Sequence, residues 1–445
     1  MRPDPAIQRT FITKFGSTQA VVAWTMTGYT LALATVIPLA GWAADRFGTK
    51  RPFMASVLAF TVGSLLCALA PNISVLIVFR VLQGLGGGML MPLAVTILSR
   101  EAGPKRIGRL MAVLGIPMLL GPIAGPILGG WLIDTYSWEW IFGINVPIGL
   151  AAFTLAALVF PQDRATPSEA FDVVGMLLLS PGLAALLYGV SSIPGRGSVT
   201  DEHVWIPAVV GLVMISGFVL HALYRTEHPL IDLRLLKNRE VTAANSTLLF
   251  TAAALFGAGL LLPSCFQQML LQTPLQSGVH MIPERFGALV AMPIAGVLLD
   301  KRGPHKVVLA GITLIGAGMA VFAYGVSTHA AYLPVLLAAL TLMGMGLGCT
   351  TMPLVAAAVQ CLAPHQIARG SALVHVNLQV AASISTALMS VILTNQFNDS
   401  SNISHAYTAV FVVAAAVALL AYIPAVFLPK QPIAAVADRP PMMTH

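Results

Sequence analysis

The chain has 445 residues, of which 57% are hydrophobic and only 9% charged, and its formal net charge is +7. Charges that few cannot cover a water-facing surface of that size, which excludes an ordinary soluble protein. The basic residues are scattered through short connections, which excludes a nucleic-acid footprint.

The apolar runs predict an all-α polytopic membrane protein of thirteen spans. They lie near 18–40, 53–70, 74–99, 108–132, 140–160, 173–192, 203–223, 241–270, 276–299, 307–327, 331–358, 367–395 and 405–428. Each is long enough to cross a bilayer as a helix. Residues 1–17 form a tail without the apolar core of a cleavable signal peptide, so the first span itself can direct insertion.

The first connection, 41–51, reads GWAADRFGTKR. Between two spans it predicts a tight turn at the membrane surface. Gly41 and Gly48 let the backbone turn or neighbouring helices approach. Asp45 can brace a helix end, while Arg46, Lys50 and Arg51 put positive charge on one side. A weaker copy at 296–306, GVLLDKRGPHK, sets Gly296 for Gly41, Asp300 for Asp45, Gly303 for Gly48 and Lys306 for Arg51. The copies are 255 positions apart, which implies a duplicated protein of two similar bundles, an architecture suited to alternating access. With this turn in the cytosol, eighteen of the 24 Lys and Arg fall in inside connections and the C-terminal tail and four outside, while Arg80 and Arg285 lie within spans. That bias orients the chain with its C-terminus cytoplasmic.

The run 80–88, RVLQGLGGG, places Arg80 about two turns into a span. A lone Arg in hydrocarbon costs at least ~2.5 kcal/mol unless it finds a partner or water. It is either bonded to backbone or snorkelling, or it is a cavity cation controlling a nearby proton site, with Gln83 as a polar neighbour. A faint echo of 84–95 at 344–355 supports the duplication. In 115–130, Gly121, Pro122, Gly125, Pro126, Gly129 and Gly130 form a ridge of small residues and prolines at three- and four-residue spacing. Such a face lets backbones touch and bends the helix. At 137–149, SWEWIFGINVPIG, Trp138 and Trp140 suit an interfacial aromatic belt, and Glu139 reads as a solvated loop charge.

The spans at 173–192 and 203–223 belong to neither repeat, and 224–240 reads as a cytoplasmic linker of amphipathic character. Within 276–299, His280 and Glu284 are four apart and share a predicted helix face, with Arg285 beside them. A carboxyl in apolar surroundings is costly to ionise and can trade a proton, so Glu284 and His280 join Arg80 as proton-coupling candidates. The alternative is a Glu–Arg pair near the outer interface. Trp24, Tyr29, Asn377 and Gln379 are candidates for a cavity lining, against a bland role in packing or interhelical bonding. The four cysteines lie singly, with no metal-binding spacing or disulfide framework.

The motifs carry a family resemblance over nearly the whole chain, from about Ala23 to Lys430. The 41–51 stretch resembles the loop signature between the second and third helices of the major facilitator superfamily. The run at 80–88 resembles its Arg-x-x-Gln-Gly-x-Gly motif. The ridge at 121–130 resembles the Gly-Pro signature of its antiporters, which implies export by exchange. The run at 137–149 resembles the fourteen-helix drug:proton antiporter branch, with Glu139 where that branch carries Arg. MPIAGVLLDKRGPHK and LAPHQIARGSALVHVNLQV in the second half resemble mycobacterial multidrug efflux pumps of the spectinomycin–tetracycline type. Residues 6–17 resemble the segment just after that branch's first helix, which implies a start assigned late or a genuine truncation.

The resemblance implies an N-terminal tail (1–17), an N-terminal bundle without its first helix (18–160), two inserted helices and a linker (161–240), a C-terminal bundle (241–428) and a tail (429–445). It implies a proton-coupled antiporter exporting drugs or amphipathic small molecules across the plasma membrane. It would be driven by the proton gradient without a cofactor or metal, work as a monomer and bind no nucleic acid. The alternatives are a truncated, non-transporting membrane protein and an exporter of an endogenous metabolite. No nucleophile–base set or nucleotide motif supports an enzyme.

Overall fold

The structure, a computed structural model, describes residues 11–12, 14–102, 106–160, 171–196, 201–224, 229–328, 332–363, 366–399 and 403–431. The outer parts of both predicted tails, 1–10 and 432–445, lie outside the described residues. Among those described there is no strand.

The N-terminal half comprises α1 (Gln19–Val36), α2 (Leu39–Phe47), α3 (Lys50–Ala68), α4 (Ile73–Gly87), α5 (Leu90–Ala102), α6 (Ile107–Thr135), α7 (Trp140–Gly143) and α8 (Asn145–Val159). Two helices follow, α9 (Val173–Arg196) and α10 (Glu202–Tyr224), with a 3-10 turn at Leu233–Lys237. The C-terminal half comprises α11 (Arg239–Met269), α12 (Pro274–His280), α13 (Ile282–Arg302), α14 (Pro304–Thr328), α15 (Tyr332–Gln360), α16 (Ile367–Asp399), α17 (Ile403–Leu420) and α18 (Tyr422–Ala425).

Among the described residues, eleven helical stretches are long and apolar enough to span a membrane, and α1 with α2 makes a twelfth broken by a 50° bend. The bend falls at Ile37 and Pro38, where proline lacks an amide hydrogen and clashes with the preceding turn. The remaining predicted span, 108–132, lies on α6, whose apolar part is described over Gly108–Gly121.

The connection at 41–51 differs from its prediction as a tight turn, because residues through Phe47 are helical. The turn itself is Gly48 and Thr49. Its counterpart is also helical, through Arg302, and turns at Gly303. Gly48 has φ 78° and ψ 170°, Gly303 φ 78° and ψ 171°, so the two repeats use one backbone geometry that a side chain would strain. Both helices run on beyond the apolar stretch because a basic last turn suits the negative end of a helix.

Close packing inside the C-terminal half rests on small residues. A Cβ at Gly344 of α15 would overlap the Glu284 carbonyl oxygen of α13. Gly344→Ala is therefore expected to destabilise the protein by about 1–3 kcal/mol through overpacking. The thermal midpoint of the solubilised protein checks this, and an unchanged midpoint would show that α13 and α15 part freely.

The inserted pair touches both halves. Residue Leu183 of α9 and Phe218 of α10 belong to a buried cluster that includes Leu373 of α16 and rests on Leu39 and Trp42. The linker is less exposed than its sequence suggests. Leu230 and Ile231 are buried, and the Leu230 amide donates to Asp172, which also bonds His221 at 2.9 Å.

Candidate functional site

The repeated turn and its copy form one end of the seam between the halves. Asp45, only 7% exposed, lies 3.3 Å from the Arg100 guanidinium of α5 and 3.4 Å from that of Arg369 on α16. One carboxylate thus ties α2 and α5 to the first turn of a helix from the other half. Gly41, one turn earlier, admits that helix closely: a Cβ there would sit 3.1 Å from the Arg369 Cα. Ser371 adds a hydroxyl bond to the Pro92 carbonyl oxygen at 2.9 Å.

Asp300 repeats the device with the halves exchanged. Its carboxylate accepts the amides of Gly108 at 2.9 Å and Arg109 at 3.3 Å, the first turn of α6. A helix N-terminus offers unpaired amides and a positive dipole end, so both aspartates brace helices that begin in the opposite half. Gly108 and Gly296 face each other so closely that a Cβ on Gly296 would lie 2.7 Å from the Gly108 carbonyl oxygen.

Of the other predicted gate residues, Lys50 donates to the Ala157 and Phe160 carbonyls at 2.7 and 2.8 Å, closing the end of α8 inside its own half. Arg51 is exposed. Arg46 sits half-buried in the last turn of α2.

Sequence reasoning missed Arg369, Arg100, Gly108 and Arg109. A signal for three of them was present: Ile107-Gly108-Arg109 opens α6, and Ile367-Ala368-Arg369 opens α16.

Two residues of the predicted small-residue ridge, Gly121 and Gly125, have no close neighbour in this conformation. A Cβ at Gly121 or Gly125 would meet nothing within 4 Å, and Gly129 is buried. The side chains of Pro122 and Pro126, and Gly130, lie outside the described side chains. Close contact between α6 and the other half falls earlier, at Gly108 and at Gly115, which faces Met292. The halves are drawn together at the end carrying Asp45 and Asp300, while farther along α6 a Cβ on Gly121 or Gly125 would meet nothing within 4 Å.

Arg80 is held by its own half. Its Nε donates to the Thr25 carbonyl at 3.0 Å and its Nη1 to Gln83 Oε1 at 2.7 Å. Gln83, buried, donates in turn to Ser64. The guanidinium lies 4.3 Å from the centre of the Tyr29 ring and 5.4 Å from that of Phe142. Backbone and side-chain bonding thus coexist at Arg80, which lies beside aromatic faces with no carboxylate partner among the described residues.

Glu284 is 4% exposed. Its Oε2 lies 3.9 Å from the Arg285 guanidinium and has no hydrogen-bond partner. It does not pair with Arg80, because each sits in a different half among local partners. Nor does it meet His280. The helix breaks at Met281, and the imidazole Nδ1 lies 2.8 Å from Gln272 Oε1. Glu139 is half-buried and one of its carboxylate oxygens is fully buried without a partner, contrary to a freely solvated loop charge.

The cavity candidates scatter. Trp24 stacks on Tyr188 at 5.5 Å and Tyr29 lies under Arg80. Asn377 donates to the Asn245 carbonyl at 2.7 Å, joining α16 to α11, and Gln379, two residues on, is half-buried.

The family model for the Major Facilitator Superfamily matches residues 4–282 and 285–442. Multidrug resistance protein B homolog of Mycobacterium tuberculosis is 60% identical over 463 residues, covering 95% of this chain and 86% of that protein. Multidrug export protein EmrB of Escherichia coli is 30% identical, covering 86% and 74%. Among solved structures, the proton:xylose symporter XylE superposes with a TM-score of 0.64 at 14% identity, covering 97% and 93%, a likeness of fold.

Proposed function

The chain belongs to the Major Facilitator Superfamily, and from that premise we propose that it is a proton-coupled antiporter exporting drugs or amphipathic small molecules. The observation that carries this reading is the paired brace of Asp45 and Asp300, each joining its half to the first turn of a helix from the other. Two exchangeable locks at one end of a duplicated bundle, with unopposed glycines at 121 and 125 farther along α6, are what rocking about a central site requires. Relatives named for multidrug resistance and export support drug-like cargo.

We place the braced end in the cytosol of the plasma membrane on the basis of the Lys and Arg bias. In that orientation the braced, closed end faces inward and the unopposed Gly121 and Gly125 lie toward the outer end. Export then requires the locks to open and the outer end to close. Gly121 and Gly125 are suited to that closure, because α6 must come against the other half where it is now unopposed. Gly125→Val is expected to reach the membrane at the parental level, because its side chain meets no neighbour here, yet to slow efflux at least about tenfold. Efflux at the parental rate would remove the ridge from the cycle.

Arg80 and Glu284 divide the coupling between them without direct contact. The buried Glu284 carboxyl, loosely paired with Arg285, takes and releases the proton, and Arg80 orders the polar cluster of the other half. Glu284→Gln fixes the neutral form, so efflux is expected to lose most of its pH dependence. The measurement is dye efflux from energised cells across a range of external pH, with and without an uncoupler. A parental pH profile in Glu284→Gln would exclude this carboxyl as the coupling group, and accumulation insensitive to the uncoupler would exclude proton drive altogether.

A further inference from the structure

We propose that a groove between α11 and α17, at the braced end of the C-terminal half, is a binding site for one anionic phospholipid. The groove has a volume of about 460 Å³. Ala243, Ser246 and Phe250 form one wall; Leu420, Ile423 and Phe427 form the other. Leu420, Ile423 and Phe427 are exposed, so the groove opens on the outside of the bundle toward the bilayer. It is separate from the seam between the halves.

Its rim carries positive charge. Arg239 lines the mouth, with its guanidinium 4.4 Å from the centre of the Phe427 ring, and Lys237, also exposed, precedes it. Among the described residues, no acidic residue lines the groove. The neighbouring Glu240 is engaged elsewhere, where its carboxylate accepts the Cys361 thiol at 3.0 Å. Arg239 has no carboxylate partner among the described residues.

Depth matches a lipid. Arg239 is the first residue of a span, where headgroups lie, and Phe250 is eleven residues further in, about 16 Å along the helix axis. A phosphate at Arg239 and Lys237 would direct an acyl chain down toward Phe250. Basic pockets between spans on the cytoplasmic side suit acidic headgroups. The proposal takes only the leaflet from the orientation proposed above, and its test does not read transport.

The test uses the purified, delipidated full chain with phosphatidylglycerol and phosphatidylcholine of the same acyl chains. Lipids retained are counted by native mass spectrometry, and affinity is followed by thermal midpoint. One phosphatidylglycerol is expected to be retained in preference to phosphatidylcholine, and glycerol phosphate without chains should not compete. Arg239→Ala is expected to weaken phosphatidylglycerol binding about fivefold at low salt. Ser246→Trp fills the groove, leaves the charge in place and is expected to abolish retention. Equal retention of both lipids, retention unchanged in both variants, displacement by glycerol phosphate alone, or displacement by a drug-like cation such as ethidium would each overturn the proposal. Should Arg239→Ala fail to fold, the comparison of the two lipids on the parental chain decides.

Discussion

Alanine at Arg80 is expected to abolish gradient-driven efflux while the chain still reaches the membrane. The guanidinium satisfies the Thr25 carbonyl and Gln83 at once and lies 4.3 Å from the centre of the Tyr29 ring. Removing it leaves Gln83 Oε1 with only the Cys67 thiol, 3.9 Å away, as a donor. An orphaned buried acceptor costs about 1–3 kcal/mol, which a bundle of this size can absorb. The loss of charge cannot be absorbed in the same way, because the other basic residues of these helices, Arg46, Lys50, Arg51, Arg100 and Arg109, lie at the ends of their helices, away from this cluster. Arg80→Lys separates the two roles. It keeps the charge but cannot reproduce the flat fork, so partial efflux is expected. Dye accumulation with and without an uncoupler, normalised to the amount of protein in membranes, makes the measurement. Parental efflux in Arg80→Ala would take this arginine out of the mechanism.

Asp45→Ala is expected to open the braced end. The side chain is buried between two guanidiniums, and removing one partner of a buried ion pair costs on the order of 3 kcal/mol. Spent against the closed state alone, that shifts its population by about two decades. Ser371, fully buried at the seam, reports the change. With Cys349 and Cys361 replaced by serine, Ser371→Cys should resist a water-soluble thiol reagent in the parental chain and react rapidly beside Asp45→Ala. Equal protection in both would show that the close packing of Gly108 on Gly296 holds this end without the ion pair. Asp300→Ala is expected to do less, because backbone amides at the start of α6 can be hydrated once exposed, whereas the Arg100 and Arg369 charges must be kept apart.

Particular residues show how far the sequence could be read. The span positions followed from hydropathy because lipid admits only segments that satisfy their own backbone. The match of Gly48 to Gly303 was legible as a repeat, and the structure gave the two glycines one backbone geometry. The break at Met281 has a signal that periodicity passes over: Pro283, in the first turn of α13, cannot continue a preceding helix. The helical character of 41–47 was hidden, because charged residues beside glycine read equally well as a turn or as a helix end at the interface.

The sequence by itself determined that this chain is a duplicated bundle of membrane helices, which way its basic connections bias it, and which few polar residues lie within lipid. Those properties are local: they depend on run length, composition and spacing. Only the tertiary structure decided that Asp45 meets Arg369, that Arg80 and Glu284 stay apart, and that Gly108 touches the other half while Gly125 does not. In a membrane both the lipid-facing and the packed faces of a helix are apolar, so periodicity does not say which face finds a partner. That choice is made by small residues and single charges far apart in the chain, once the helices have come together.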